Sequence, residues 1–276
     1  MSTIHYSRTG TGEPVVLIHG IGHSGRVWET VPELLKDDYD VIAIDLPGHG
    51  ASPKPGSGHG WSLADQCAQI EEFFDELGLD QPHVIGNSLG GAIALELGAR
   101  GSVRSVTALA PAGFWSPAGL GWAAGVLTTL KALSYSPTFV IRLFGSHPVG
   151  RRLIMWPLYA HTELLTQDDF VHDALNIRRA PGFLANYIRL PFYQYRGTPQ
   201  MPTAVLWGDR DAILLPTQAK VARRRLPQAL HATLKGAAHC PQLDVPERVV
   251  EHALSTMRRA DAGRRPAAAP SITAAS

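Results

Sequence analysis

Gly86-Asn87-Ser88-Leu89-Gly90 stands between an apolar run, His83 to Ile85, and a run of small residues beginning Gly91-Ala92-Ile93. The order reads as strand, sharp turn, helix. A serine at such a turn takes a strained backbone conformation, and glycines on both sides let strand and helix approach closely. The strain lifts the hydroxyl clear of the sheet edge. A glycine-rich turn in another α/β protein could carry the same five residues, so the stretch is weighed with what flanks it.

Working outward, Val15 to Ile18 and Val41 to Ile44 are continuous apolar runs, and Val103 to Ala110 and Thr203 to Trp207 read as further strands. Such runs suit strands covered on both faces, as in a parallel sheet. Ile4 to Arg8 alternates weakly before Gly10, Gly12 and Pro14, and predicts a first strand and a turn. Val27, Trp28, Val31, Leu34 and Leu35 predict one helix after the His19-Gly20-Ile21-Gly22 loop. Ser62 caps a helix carrying Leu63, Cys67, Ile70, Phe74 and Leu77, and Gly78 ends it, which makes Cys67 a small core residue. A helix after Pro216, a strand over Leu230 to Leu234 and an amphipathic helix over Glu247 to Arg258 complete the alternation. Right-handed crossovers of this kind build a parallel sheet.

Between 114 and 197 the rhythm stops and aromatic residues accumulate, among them Trp115, Trp122, Trp156, Tyr159, Phe183 and Tyr193. Helical spacing shows in Leu127, Leu130, Leu133 and in Phe170, Ala174, Ile177. The segment reads as a helical lid inserted into a core of residues 1–113 and 198–260. Residues 261–276, rich in Ala, Pro, Arg and Ser, bury little and are expected to be a disordered tail.

The 276 residues carry a formal charge of +1. Setting aside Arg258, Arg259, Arg264, Arg265 and Asp261 leaves 21 basic against 23 acidic residues, or −2, so no basic surface for nucleic acid is implied. Cys67 and Cys240 lie far apart in unlike contexts, which argues for free thiols in a reducing compartment. The start, Met1 to Gly10, lacks an apolar signal-peptide core. Apolar lid stretches are broken by Pro, Ser and Arg before the roughly 20 residues of a membrane span. A soluble, cytoplasmic protein is expected, with no membrane span.

From the elbow onward the chain resembles the α/β-hydrolase fold superfamily, in which G-x-S-x-G presents a nucleophilic serine. The fold implied is α/β, a mostly parallel, doubly wound sheet of about seven to eight strands with an inserted helical lid. The chain begins at what looks like the family's second strand. A serine hydroxyl needs a base within hydrogen-bond reach, itself oriented by a third group, and in this family the order is Ser, acid, His. Gly208-Asp209-Arg210-Asp211 follows one strand and Gly236-Ala237-Ala238-His239 the last. The family's acid is the third residue after the glycine, which points to Asp211, with Asp209 in reserve. His239-Cys240-Pro241 and Asp244-Val245-Pro246-Glu247 match the family's terminal histidine segment, with Ala238 in place of Gly and Asp244 in place of Glu. The resemblance further implies an oxyanion hole from the backbone N–H groups of Leu89 and Ile21, with His19 bracing the loop and His49 architectural in its turn. No metal and no cofactor are called for.

Serine at the elbow disfavours relatives that use Asp there, such as haloalkane dehalogenases and epoxide hydrolases. Asn87 is typical of carbon-carbon bond hydrolases of ring-fission products. Those enzymes place Trp after the catalytic histidine and Arg in the lid, where this chain has Cys240 and, by approximate alignment, Asp173. The expectation is therefore hydrolysis, with water, of a carboxylic ester of a small or medium apolar acyl substrate, with Asn87, Trp156 and Tyr159 at the substrate. Carbon-carbon hydrolysis, cofactor-free perhydrolysis and ligand binding without catalysis are the alternatives.

Overall fold

Side chains of a strand point alternately to opposite faces, and the central strands here bury both. The computed structural model describes residues 4–56 and 58–264. Its strands are β1 (Tyr6–Thr9), β2 (Glu13–Ile18), β3 (Tyr39–Ile44), β4 (His83–Asn87), β5 (Ser105–Leu109), β6 (Thr203–Gly208) and β7 (Leu230–Leu234). Among the described residues they form a seven-stranded sheet in the order β1-β3-β2-β4-β5-β6-β7. β1 runs antiparallel to β3, and the other pairs are parallel. Val16, Ile18, Ile42, Ile44 and Val84 face one hydrophobic layer, and Val15, Leu17, Val41, Ala43 and Ile85 face the other. The continuous apolar runs in the sequence are thus two interleaved faces.

The helices are α1 (Thr30–Leu35), α2 (Leu63–Leu77), α3 (Leu89–Arg100), α4 (Pro117–Ser134), α5 (Thr138–Ser146), α6 (Pro148–Met155), α7 (Gln167–Arg179), α8 (Pro181–Tyr187), α9 (Thr217–Arg225), α10 (Pro241–Asp244) and α11 (Pro246–Arg264). Apolar residues of α2, α3 and α9 join the first layer, and those of α1 and α11 the second. Ser62 and Asp65 form a reciprocal capping box at the start of α2, and Gly78, at φ 65°, closes it. Cys67 lies in the first layer, as its helical spacing predicts.

α4 to α8 all fall between β5 and β6, so the interruption of the strand-helix rhythm is a helical insertion. Prolines at the first position of α4, α6 and α8 start new helices where no N–H is required. The insertion is fastened to the sheet domain by an Arg26–Asp169 ion pair of 2.6 Å, by Trp122 Nε1 donating to the Ala212 carbonyl at 2.8 Å, and by Gly182 N–H donating to the Gly48 carbonyl at 3.0 Å.

Two elements depart from the sequence reading. The expected helix over Val27 to Leu35 is a 3-10 turn, Gly25–Trp28, followed by the short α1, and Leu34 is exposed. Pro32 has no N–H to donate to the Trp28 carbonyl, so a continuous helix breaks there. α11 continues to Arg264, and Asp261 reaches His83 Nε2 at 3.3 Å, so the expected tail begins inside a packed helix. The remainder of that expectation, 265–276, lies outside the described residues.

Candidate active site

Ser88 sits between β4 and α3 at φ 58°, ψ −113°, a region that L-residues rarely enter. The surroundings hold it there. Its N–H donates to the Leu109 carbonyl at 2.9 Å, and its carbonyl accepts from Ala92 and Ala112 N–H, each at 3.0 Å. A Cβ on Gly86 would strike the Gly90 carbonyl, and one on Gly90 the Ile18 carbonyl, so both elbow glycines are required by contact.

Asp211, in the turn after β6, is buried. Its Oδ1 accepts from the N–H groups of Ile213 and Leu214, each at 2.9 Å. His239, in the loop after β7, brings Nδ1 to 3.0 Å from Asp211 Oδ2 and 3.2 Å from Oδ1. Asp209 is exposed and accepts from Gly236 N–H at 2.8 Å, so of the two carboxylates Asp211 meets the histidine and Asp209 shapes the turn.

Asn87 joins the histidine loop to the elbow. Its Nδ2 donates to the His239 carbonyl at 2.9 Å and to the Leu109 carbonyl at 3.2 Å, and its Oδ1 accepts from Gln242 Nε2 at 3.3 Å. The side chain is fully buried, so the expected substrate contact is corrected. As the last residue of β4 it reaches the backbone of the loop carrying His239.

Gly20, in the loop after β2, lies against Ser88: a Cβ there would be 3.1 Å from Ser88 Cβ. Leu46 N–H donates to His19 Nε2 at 2.9 Å, so the proton sits on Nδ1, which donates to the Gly20 carbonyl at 2.7 Å. Burial, with His49 beside it, holds His19 well below the ordinary imidazole range, and the ring is a neutral brace for this loop. Leu89 is the first residue of α3, so its N–H has no partner within the helix. The Ile21 and Leu89 amides thus belong to the two segments that meet at Ser88.

A second polar chain crosses from the lid to the same loop. Tyr159 Oη donates to Asp173 Oδ2 at 2.7 Å and lies 3.1 Å from His23 Nε2. With the phenolic proton committed to the carboxylate, Nε2 must be the donor of the His23 contact. Burial, with His239 and His172 nearby, lowers His23 to about 3, and burial raises Asp173 to about 6 against the pull of the Tyr159 bond. Asp244 accepts from Ala238 N–H of the histidine loop at 2.8 Å and from Ala160 and His161 N–H of the lid, each at 2.9 Å. Among the described residues no cluster of three His, Cys, Asp or Glu side chains could hold a metal ion.

Residues 13–246 match the model of the alpha/beta hydrolase fold family. The chain belongs to that family. It is 29% identical over 245 residues to the dihydrolipoyllysine-residue acetyltransferase component of the acetoin cleaving system of Cupriavidus necator, covering 87% of this chain and 63% of that protein's length. It is 27% identical to Lipase 3 of Moraxella sp., covering 85% and 74% of the two chains. Among solved structures, a thermophilic esterase from Thermogutta terrifontis superposes with a TM-score of 0.71 at 24% identity, over 93% of each chain, a likeness of fold.

Ser88 and His239 are both buried, 7% and 4% exposed. A cavity of about 270 Å³ opens beside the elbow, walled by Leu63, Leu89, Ala112, Leu190 and Tyr193, with Asn186 and Arg189 also in its lining. Another, of about 310 Å³, lies behind Tyr159 and Asp173 and is rimmed by Arg26 and Asp169. Tyr159 is therefore buried at the lid seam. Trp156 is 50% exposed on the outside of the lid, which corrects its expected place at the substrate. It follows α6 directly, and the inward positions of that stretch go to Met155 and Tyr159. Leu190 and Tyr193 are the lid residues that line the cavity beside the elbow, a position their sequence context did not reveal.

Proposed function

We propose that this chain is a serine hydrolase that cleaves carboxylic esters of small or medium apolar acyl groups through an acyl-enzyme intermediate. The observation that carries the reading is the strained Ser88 elbow, to which Asn87 ties the backbone of His239, whose imidazole is oriented by Asp211. Asp211 accepts the Nδ1 proton, which leaves Nε2 as the basic nitrogen. Ser88 Oγ attacks the acyl carbon as its proton passes to Nε2, and the carbonyl electrons move to oxygen. The N–H groups of Leu89 and Ile21 receive that oxyanion, each contributing on the order of 3 kcal/mol in the transition state. Collapse breaks the bond to the alkoxy oxygen, which leaves as the alcohol with the proton from Nε2. Water then gives its proton to Nε2, attacks the acyl carbon, and releases the acid and free Ser88.

The apolar side chains of Leu63, Leu89, Ala112 and Leu190 in the cavity beside the elbow support an apolar acyl group. Against a ring-fission dienol carboxylate stand Cys240 and Asp173, where the carbon-carbon hydrolases place Trp and Arg; the cation that lines the elbow cavity is Arg189 instead. The test is labelling with an active-site fluorophosphonate together with hydrolysis of nitrophenyl esters by wild type and Ser88→Ala. Labelling of wild type alone, and loss of turnover in a folded variant, is the expected result. Turnover retained by Ser88→Ala, or cleavage of a ring-fission product in preference to every ester, would overturn the reading.

A further inference from the structure

α5 and α6 pack on each other, and α5 also packs on α7. Ile141 and Gly145 of α5, and Gly150 and Met155 of α6, are buried beneath. The opposite side carries Phe139 and Leu143, one turn apart on α5, and Val149 and Leu153, one turn apart on α6, with Trp156 just beyond. Phe139 is 72% exposed, Val149 68% and Leu153 63%. Single apolar side chains on a surface are ordinary, whereas a face built at helical spacing on two neighbouring helices marks a binding surface.

Charge decides what it binds. No Asp or Glu occurs between Glu96 and Glu163. The two helices carry Arg142, Arg151 and Arg152, of which Arg142 and Arg152 are exposed, while Arg151 Nη1 is turned back to the Gly145 carbonyl at 2.7 Å. A second copy of the same face would bring Arg142 and Arg152 against their own kind, with Glu163 beside Arg152 the nearby acid that partly offsets them. An anionic surface would neutralise them and take up the Phe, Leu, Val and Trp side chains, the chemistry of helices that lie in a membrane interface. No helix among the described residues is long and apolar enough to cross a membrane, so such contact would be peripheral.

We propose that the α5–α6 face of the lid docks on anionic lipid surfaces. An apolar cavity of about 80 Å³ lies behind it, walled in part by Phe144, Ile154 and Ile177, and Ile177 also packs against Gly22 of the loop beside Ser88. The docking face thus backs onto the site through one layer of apolar side chains. The proposal concerns binding and stands independently of which bond the site cleaves.

The test is flotation of the full chain with phosphatidylcholine vesicles, with and without phosphatidylglycerol. Wild type is expected to float with the anionic vesicles and not with the neutral ones, and to be released by salt. Arg142→Gln/Arg152→Gln should weaken binding by about fivefold per arginine, roughly 25-fold for the pair. Phe139→Ser/Leu153→Ser should weaken it at least about tenfold. Both pairs are exposed, and far-UV circular dichroism melts should match wild type. Failure of wild type to bind anionic vesicles, equal binding by all three proteins, or a dimer in sedimentation that the Phe139→Ser/Leu153→Ser variant dissolves would each overturn the proposal. A result of that kind leaves the hydrolase reading intact, because the readout is partition and not turnover.

Discussion

Replacing Asp173 by Asn should change how the stability of this protein depends on pH. The carboxyl is buried, accepts one bond from Tyr159 at 2.7 Å, and is raised by burial to about 6. In an unfolded chain the same group ionises at about 3.9. Between those values the folded state holds the proton and the unfolded state does not, so stability falls as pH rises from about 4 through 6. Roughly two pK units correspond to about 3 kcal/mol. Asn can still accept the Tyr159 hydroxyl through Oδ1, and its amide protons face the cavity behind Tyr159, so any cost of the new group is constant with pH. The observable is therefore the slope. Urea unfolding at intervals from pH 4 to 8 should show Asp173→Asn gaining about 3 kcal/mol on wild type between pH 4 and 7. His23, lowered by burial to about 3, gives both proteins the opposite slope, stability lost below its unfolded value of about 6.5, and cancels in the difference. Parallel curves, or a wild type that gains on the variant as pH rises, would refute the assignment of Asp173 as a buried carboxylate held at a cost.

Asp211→Asn should lower kcat by about 10⁴-fold, since the amide favours the wrong imidazole tautomer. Asp209→Asn, whose amide oxygen can still accept the exposed Gly236 N–H, should stay within a few-fold of wild type, and the reverse ranking in steady-state assays would move the acid to Asp209. Asn87→Ala leaves the His239 carbonyl and Gln242 without a buried partner, a loss of about 2–4 kcal/mol in thermal or urea unfolding. Its kcat should fall while KM for a short ester stays near wild type; a change confined to KM would return Asn87 to the substrate pocket. For the acyl site, kcat/KM of wild type should rise with chain length by up to about 0.8 kcal/mol per methylene and then turn over. Leu190→Ala should move the optimum to longer chains and Trp156→Ala should not, as read from a nitrophenyl ester series.

The parts of the site that are legible in the sequence are those fixed by local geometry. Gly86 and Gly90 are dictated by contacts within a few residues or with the neighbouring strand end, and Asp211 and His239 occupy turns directly after strands. Side-chain direction is not legible where a distant partner decides it. Asn87 is committed to the carbonyl of a residue far along the chain, and nothing in its neighbours announces that. Trp156 and Tyr159 share an aromatic-rich stretch, yet one faces solvent and the other the lid seam, because helical phase at the end of α6 separates them. The continuation of α11 to Arg264 depends on Asp261 meeting His83 across the fold, a pairing without a local signal. The absence of acids from α5 and α6 is plain in the sequence, but its meaning depends on which arginines the packing leaves exposed.

The carboxylate of Asp244 has a mechanical consequence. It grips Ala238, one residue before His239, and at the same time Ala160 and His161, while Cys240 N–H donates to the Leu158 carbonyl at 2.9 Å. The chain from Leu158 to His161 is thereby riveted to the segment that aims the imidazole. Any opening that swung this stretch away would drag His239 out of line with Asp211. Any lid movement that leaves the base aimed must therefore keep residues 158–161 in place.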